Sequence, residues 1–135
     1  MQIARSIHNK GFVAEINAGK GHHTIQLTKI FKHVYCIDPW ISENVFVSFV
    51  ETTHRLTNIR TMIMSSKEAS EEISPKSLDF VFLNLAPNTH YFDDDINIWL
   101  EKLIPGGQIG GSGALVVRQG HHIPRIVCED GTWIL

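Results

Sequence analysis

The feature that most constrains this chain is a fourfold alternation between apolar strand-like runs and helical patterns. "GFVAEIN", "HVYCID", "NIRTMIM" and "SLDFVFLNL" are short apolar runs, most of them ended by a polar residue or a turn-former. Between them "HHTIQLTKIF" places Ile25, Leu27, Ile30 and Phe31 roughly at helical spacing. "PWISENVFVSFVETTHRL" opens on a proline, which suits a first helical turn. "SSKEASEEI" starts on serine with Glu68 and Glu71 close behind, a helix N-terminal signature. "YFDDDINIWLEKLI" begins with acids and carries an Ile96, Trp99, Leu100 and Leu103 face. "PGG" is expected to stop that helix, and "QIGGSG" to be a fifth strand. Apolar strands separated by helices predict a parallel sheet covered on both faces. The tail breaks the pattern: "IPRIVC" and "TWIL" flank "EDG", and Asp130-Gly131 is a hairpin signal. The predicted class is α/β, a doubly wound, mostly parallel sheet of about seven strands closed by an antiparallel hairpin.

At 135 residues the chain has the length of one domain, spanning 1–135. Its 43% hydrophobic and 19% charged residues are enough to build a core. A net charge of −2 gives no basic face, so nucleic acid is not an expected partner. No apolar run reaches the roughly 18 residues of a membrane span, and "MQIARSIHNK" has no apolar leader core. No membrane association and a cytoplasmic location are therefore expected, with Cys36 and Cys128 as reduced buried thiols. Among eight histidines, His22-His23 and His121-His122 are adjacent pairs without chelate spacing, so loop positions are expected and no metal site.

Ligands of such sheets bind at the carboxyl ends of the strands. After the first strand, "EINAGKGHHT" joins an acid, Glu15, to a small flexible run and a helix start. Asn17, Gly19 and Gly21 are expected to bring backbone close to a ligand, beside a helix N-terminus that favours its negative group. Asparagine tolerates positive φ, so Asn17 keeps the bend that a glycine would give. Asp38, seventeen residues after Gly21, ends the second strand, where a carboxylate accepts ribose hydroxyls. Ser65 and Ser66 follow the third strand. Two phosphate-binding patterns fail. A dinucleotide fingerprint needs a third glycine where Thr24 stands, and a P-loop needs glycine at Ala14 and serine or threonine where Gly21 follows Lys20.

"VAEINAGKGHHTIQL", "VYCIDPW", "NIRTMIMSSKEASEEI", "DFVFLN" and "DINIWLEKLIPGGQIGG", in this order and spacing, resemble a class I S-adenosylmethionine (SAM)-dependent methyltransferase with a Rossmann-like sheet. The branch is that of small-molecule O-methyltransferases similar to macrocin methyltransferase, and the resemblance runs from about Gly11 to Gly111. It implies SAM as cofactor and a small-molecule methyl acceptor. Glu15 and the Asn17–Gly21 loop would face the methionine part, the buried acid meeting its ammonium. Asp38 would hold the ribose, with Pro39 and Trp40 beside the adenine and Met64, Ser65 and Ser66 at its edge. Asn84 would lie near the transferred methyl.

The chain departs from that family's pattern. Counted back from Asp95, the positions of an acid, a histidine and a tyrosine hold Asn84, Pro87 and Thr89. Ser112-Gly113 stand where metal-using relatives often carry His-Asp. One amide oxygen is a poor ligand for a hard divalent cation, so no metal is expected. His90 is the candidate base for removing an acceptor proton. The favoured reading of Asp93 to Asp95 is charge that caps a helix start. Only about eleven residues precede the first strand, where the family carries roofing helices, so an exposed apolar sheet face and a homodimer are expected. The alternative function is a SAM-fold protein that has lost catalysis and acts as a binding or assembly module. A nicotinamide-linked oxidoreductase is the weakest reading, because of Thr24.

Overall fold

The structure is a computed structural model that describes residues 1–85, 93–113 and 125–135, without the side chains of 93–95. Its elements in chain order are α1 (Gln2–Ser6), β1 (Phe12–Ile16), α2 (His22–Thr28), β2 (His33–Asp38), α3 (Glu43–Thr53), β3 (Ile59–Ile63) and α4 (Ser66–Glu72). There follow β4 (Leu78–Asn84), α5 (Asp93–Leu100), β5 (Leu103–Ser112), β6 (Ile126–Val127) and β7 (Thr132–Ile134). The strands form one seven-stranded sheet in the order β3-β2-β1-β4-β5-β7-β6. β1 to β5 are parallel, and β7 pairs antiparallel with both β5 and β6. This is the predicted class.

Alternation along each strand splits the core into two layers. On one face Ala14, Ile16, Ile37 and Leu83 of the sheet pack with Ala69 of α4 and Ile96 and Trp99 of α5. On the other, Val13, Phe80 and Phe82 of the sheet pack with Ile3 of α1, Leu27 of α2, Phe31 after it and Phe49 of α3. β4 is central, and every residue from Leu78 to Leu83 is buried. Its Phe80 and Phe82 are 0% exposed, each burial stabilising the fold by about 1.5–3 kcal/mol. α4 starts as its sequence requires. Ser65 accepts from the Glu68 N–H, and the Glu68 carboxylate accepts from the Ser65 N–H, both at 3.2 Å.

Two elements differ from expectation. The first is α1, five residues with too little length to show a period. It places Ile3, Ala4 and Ile7 at 5% exposure or less in the second core layer. The Gln2 N–H donates to the Asp130 carboxylate at 2.7 Å and the Ile3 N–H to Thr132 Oγ1 at 3.3 Å, tying α1 to the hairpin turn. The Lys10 ammonium donates to the carbonyls of Ala4, Arg5 and Ile7 and closes the C-terminal end of α1. The sheet face expected to lie bare is thus covered on this side. The second is the start of β5. α5 ends at Leu100, and Leu103 already pairs with Leu78. The next ladder pair is Phe80 with Gln108, so Pro105, Gly106 and Gly107 bulge out of the strand. Leu103 is buried either way, which is why helical spacing claimed it for α5.

Candidate functional site

β1 leads to β2 on one side, while β4 lies on its other side. The strand order therefore reverses at the carboxyl ends of β1 and β4, where a doubly wound sheet opens a crevice. A cavity of about 390 Å³ lies there, lined by Asn17, Gly19, Lys20, His23, Asp38 and Asn84, with Leu85 and Ser112 completing its wall.

The loop after β1 turns through left-handed backbone at Asn17 (φ 62°), Gly19 (φ 58°) and Gly21 (φ 86°). Its Ala18 N–H donates to the Ile37 carbonyl at 3.1 Å. The Asn17 side-chain amide donates to the Asn84 carbonyl at 3.3 Å. Asp38 secures the other side: Oδ2 accepts from the Gly19 N–H at 3.0 Å and Oδ1 from the Trp40 N–H at 2.7 Å. Each carboxylate oxygen accepts more than one hydrogen bond, so Asp38 retains capacity toward the cavity that it lines.

Beneath the crevice floor Glu15 is 0% exposed. The Thr24 hydroxyl donates to its Oε1 at 2.5 Å, and the Asn84 amide nitrogen to its Oε2 at 2.8 Å. Ser112 Oγ donates in turn to Asn84 Oδ1 at 3.1 Å. Burial pushes the Glu15 carboxyl up to about 7, against the lowering effect of the Thr24 and Asn84 hydrogen bonds, and nearby Asp38 adds to the rise. Cys36 beneath it is also pushed up, by burial first and then by the Glu15 charge. His23 opens onto the cavity and packs edge-on against Phe82 at 5.3 Å. Burial lowers its pKa, partly offset by a hydrogen bond with the Asn84 side chain.

The crevice brings together Asn17, Gly19, Asp38 and Asn84. Six other site candidates, Glu15, Gly21, Pro39, Trp40, Ser65 and Ser66, are not on its wall. Glu15 sits one layer below the cavity, not on its wall. Gly21 serves packing: a Cβ there would come within 2.9 Å of Thr53 Cγ2 and 3.2 Å of Phe49, both on α3. Trp40 is 7% exposed, its indole N–H donating to the Gly19 carbonyl at 2.8 Å and its ring packed against Phe46 and Phe49. Ser66 Oγ accepts from the Trp99 indole at 2.7 Å, joining α4 to α5, while Ser65 caps α4. Pro39 is exposed, and neither it nor Met64, Ser65 or Ser66 lines the cavity. His90, with Pro87 and Thr89, lies outside the described residues. As sequence, Thr24 and Ser112 are only departures from motifs; no spacing rule announces a donor to a carboxylate nine residues away or to an amide on another strand. Among the described residues no group of three or more His, Cys, Asp or Glu side chains is placed to hold a metal ion.

No family profile matches the chain, and no curated protein matches it. Solved structures do. A protein described as an S-adenosylmethionine dependent methyltransferase from Listeria monocytogenes aligns with a TM-score of 0.67 at 20% identity, over 82% of this chain and 48% of that one. Precorrin 8w decarboxylase from Methanobacterium thermoautotrophicum aligns with a TM-score of 0.66 at 17% identity, over 99% of this chain and 80% of that one. The DhpI–SAH complex aligns with a TM-score of 0.60 at 21% identity, over 98% of this chain and 62% of that one. The chain thus spans about half the length of the Listeria protein. These likenesses establish the class I methyltransferase fold.

Proposed function

We propose that the chain binds SAM in this crevice and transfers its methyl group to the hydroxyl of a small-molecule acceptor. The observation that carries the reading is the loop after β1, left-handed and laced to the Asp38 carboxylate, at the reversal point of a sheet with this strand order. The residues present fit the cofactor. The fully buried Glu15 has no cationic side chain in ion-pair contact among the described residues, and a cationic ligand above it supplies that charge. A Cβ on Gly19 would meet only the Asn17 carbonyl at 3.9 Å, so the main chain is open to a ligand. A volume of about 390 Å³ suits a molecule of this size.

When bound, SAM supplies a methyl group on a sulfonium. In this reading Asp38 orients the ribose, the Asn17–Gly19 backbone the methionine portion, and Asn84 an uncharged polar contact beside the reacting carbon. His90 is the base that takes the acceptor proton. Transfer is read as metal-free on donor chemistry: the ends of β4 and β5 present an amide and a hydroxyl, where a hard cation requires carboxylates. No helix among the described residues is long and apolar enough to cross a membrane. The reading places the protein in the cytoplasm as a homodimer. The exposed Val50, at 44%, and Ile63, at 57%, beside a groove of about 340 Å³ between α3 and β3, support the second copy.

One observation favours a second reading, a SAM-binding module without catalysis. The Asn84 amide is committed to Glu15, Ser112 and His23, leaving little for a reacting group. Calorimetric titration with SAM and S-adenosylhomocysteine tests both. Saturable heat with each ligand is expected. No heat at millimolar ligand would sink both readings; turnover of a hydroxyl acceptor decides between them.

A further inference from the structure

Glu15 joins three features. It is 0% exposed, no cation touches it among the described residues, and one side chain, Asn84, separates it from the cavity. The Asn84 nitrogen donates to Glu15, and the same residue lines the cavity. A charge in the cavity therefore acts on Glu15 through one polarisable amide and without intervening bulk water.

We propose that the buried Glu15 carboxylate, acting through Asn84, makes the crevice prefer a ligand bearing a sulfonium to its thioether counterpart, and that protonation of Glu15 abolishes this preference. The inference rests on the SAM reading of the crevice. SAM carries a sulfonium and S-adenosylhomocysteine a neutral thioether, so the two ligands differ by one positive charge at otherwise similar structure. Binding the sulfonium favours ionised Glu15 and expels its proton. After methyl transfer the thioether no longer does so, Glu15 regains a proton, and the product loses the attraction that held the substrate. Glu15 is thus a positioning residue for charge and makes no contact with the ligand.

Among the described residues, the ionisable groups near Glu15 and the cavity come from β2, from α2 with its His22, and from the loop before α2, which brings Lys20 to the cavity wall. From β2 come Cys36 and Asp38, and Asp38 disfavours the Glu15 charge. From α2 come Thr24, which is not ionisable in this range, and, across Asn84, His23. His23 titrates below its ordinary range, and its protonation also repels a cation, so acid weakens SAM binding by two routes. The variant Glu15→Gln separates them, because it keeps His23 and removes the carboxylate.

The test is calorimetric affinity for SAM and S-adenosylhomocysteine between pH 5.5 and 8.5, on wild type and Glu15→Gln. In wild type the SAM to S-adenosylhomocysteine affinity ratio is expected to rise on the order of tenfold with pH, the size expected of unit charges roughly a nanometre apart in protein-like dielectric. In Glu15→Gln the ratio is expected to rise by much less. A second measurement needs no variant. SAM binding to wild type near pH 7, repeated in buffers of different ionisation enthalpy, is expected to release protons, and S-adenosylhomocysteine fewer. Binding of both ligands with equal proton release and a pH-independent ratio overturns this inference alone. Binding of neither overturns the crevice reading with it.

Discussion

Replacing Glu15 with glutamine is expected to change how stability depends on pH more than it changes stability itself. The folded-state carboxyl lies at about 7 against an unfolded value of about 4.5. A raised acid means that the folded protein holds a proton that the unfolded chain has released. The contribution is therefore full below pH 4.5, falls as pH rises through 7, and is constant above it. A displacement of about 2.5 units at about 1.4 kcal/mol each gives roughly 3 kcal/mol, most of it lost between pH 5 and 8. Full burial leaves no solvent screening to discount. The variant carries an offset of its own that does not depend on pH. The introduced amide meets the Asn84 nitrogen, so the Asn84 amide turns over and offers its nitrogen to Ser112 Oγ, a hydroxyl that also accepts. The assay is urea unfolding of both proteins at pH 5 and pH 8. Titrations elsewhere cancel in the difference, and the variant is expected to gain about 2.5 kcal/mol on wild type between the two conditions. A difference that is the same at both pH values, within about 0.5 kcal/mol, would refute the reasoning. Glu15 would then be ionised in the folded protein at both pH values.

Three further outcomes are expected. Gly21→Ala combines a left-handed φ of 86° with a Cβ contact of 2.9 Å to Thr53, and is expected to destabilise by about 2 kcal/mol or more in urea titration. A loss below 0.5 kcal/mol would mean that α2 and α3 shift freely. Asp38→Ala removes the acceptor of the Gly19 and Trp40 N–H groups, and is expected to weaken SAM at least tenfold by calorimetry, with about 1–2 kcal/mol of stability lost. Unchanged SAM affinity would remove Asp38 from the site. Trp99→Phe deletes the indole donor to Ser66 and leaves a small void between α4 and α5. A loss of about 2 kcal/mol is expected, and a value near zero would show that the link is dispensable.

The order of the sheet was legible because period and punctuation are local. A run such as Leu78 to Leu83 is apolar throughout because both faces of β4 are covered, and Asp130-Gly131 turns a hairpin whatever surrounds it. Boundaries were legible only where a cap or breaker stood at them. Ser65 announced α4, whereas Pro105-Gly106 marked a bulge inside β5 and not the end of a helix. In the crevice, the residues on the wall were those whose own backbone must bend or whose carboxylate ends a strand. The network under the floor was not legible. Thr24 breaks the dinucleotide pattern, yet it is the donor that makes a buried Glu15 tolerable. That role exists only once α2 lies over β1. Aromatic and hydroxyl groups serve ligands and packing alike, so the sequence could not show that Trp40 donates to the Gly19 carbonyl or that Ser66 accepts from Trp99.

The tie between α1 and the hairpin has a consequence for the order of assembly. Gln2 and Ile3 find their acceptors 128 and 129 residues later in the chain. β1 likewise waits for β4, since it is sandwiched between β2 and β4. A chain emerging vectorially can pair β1 with β2 and β2 with β3 early, but α1 has nothing to hold its first turn until β7 and its turn are made. Ile3, Ala4 and Ile7 have early partners in Val13, Leu27 and Phe31, while the first turn of α1 gains its hydrogen-bond acceptors only when the Asp130 turn forms.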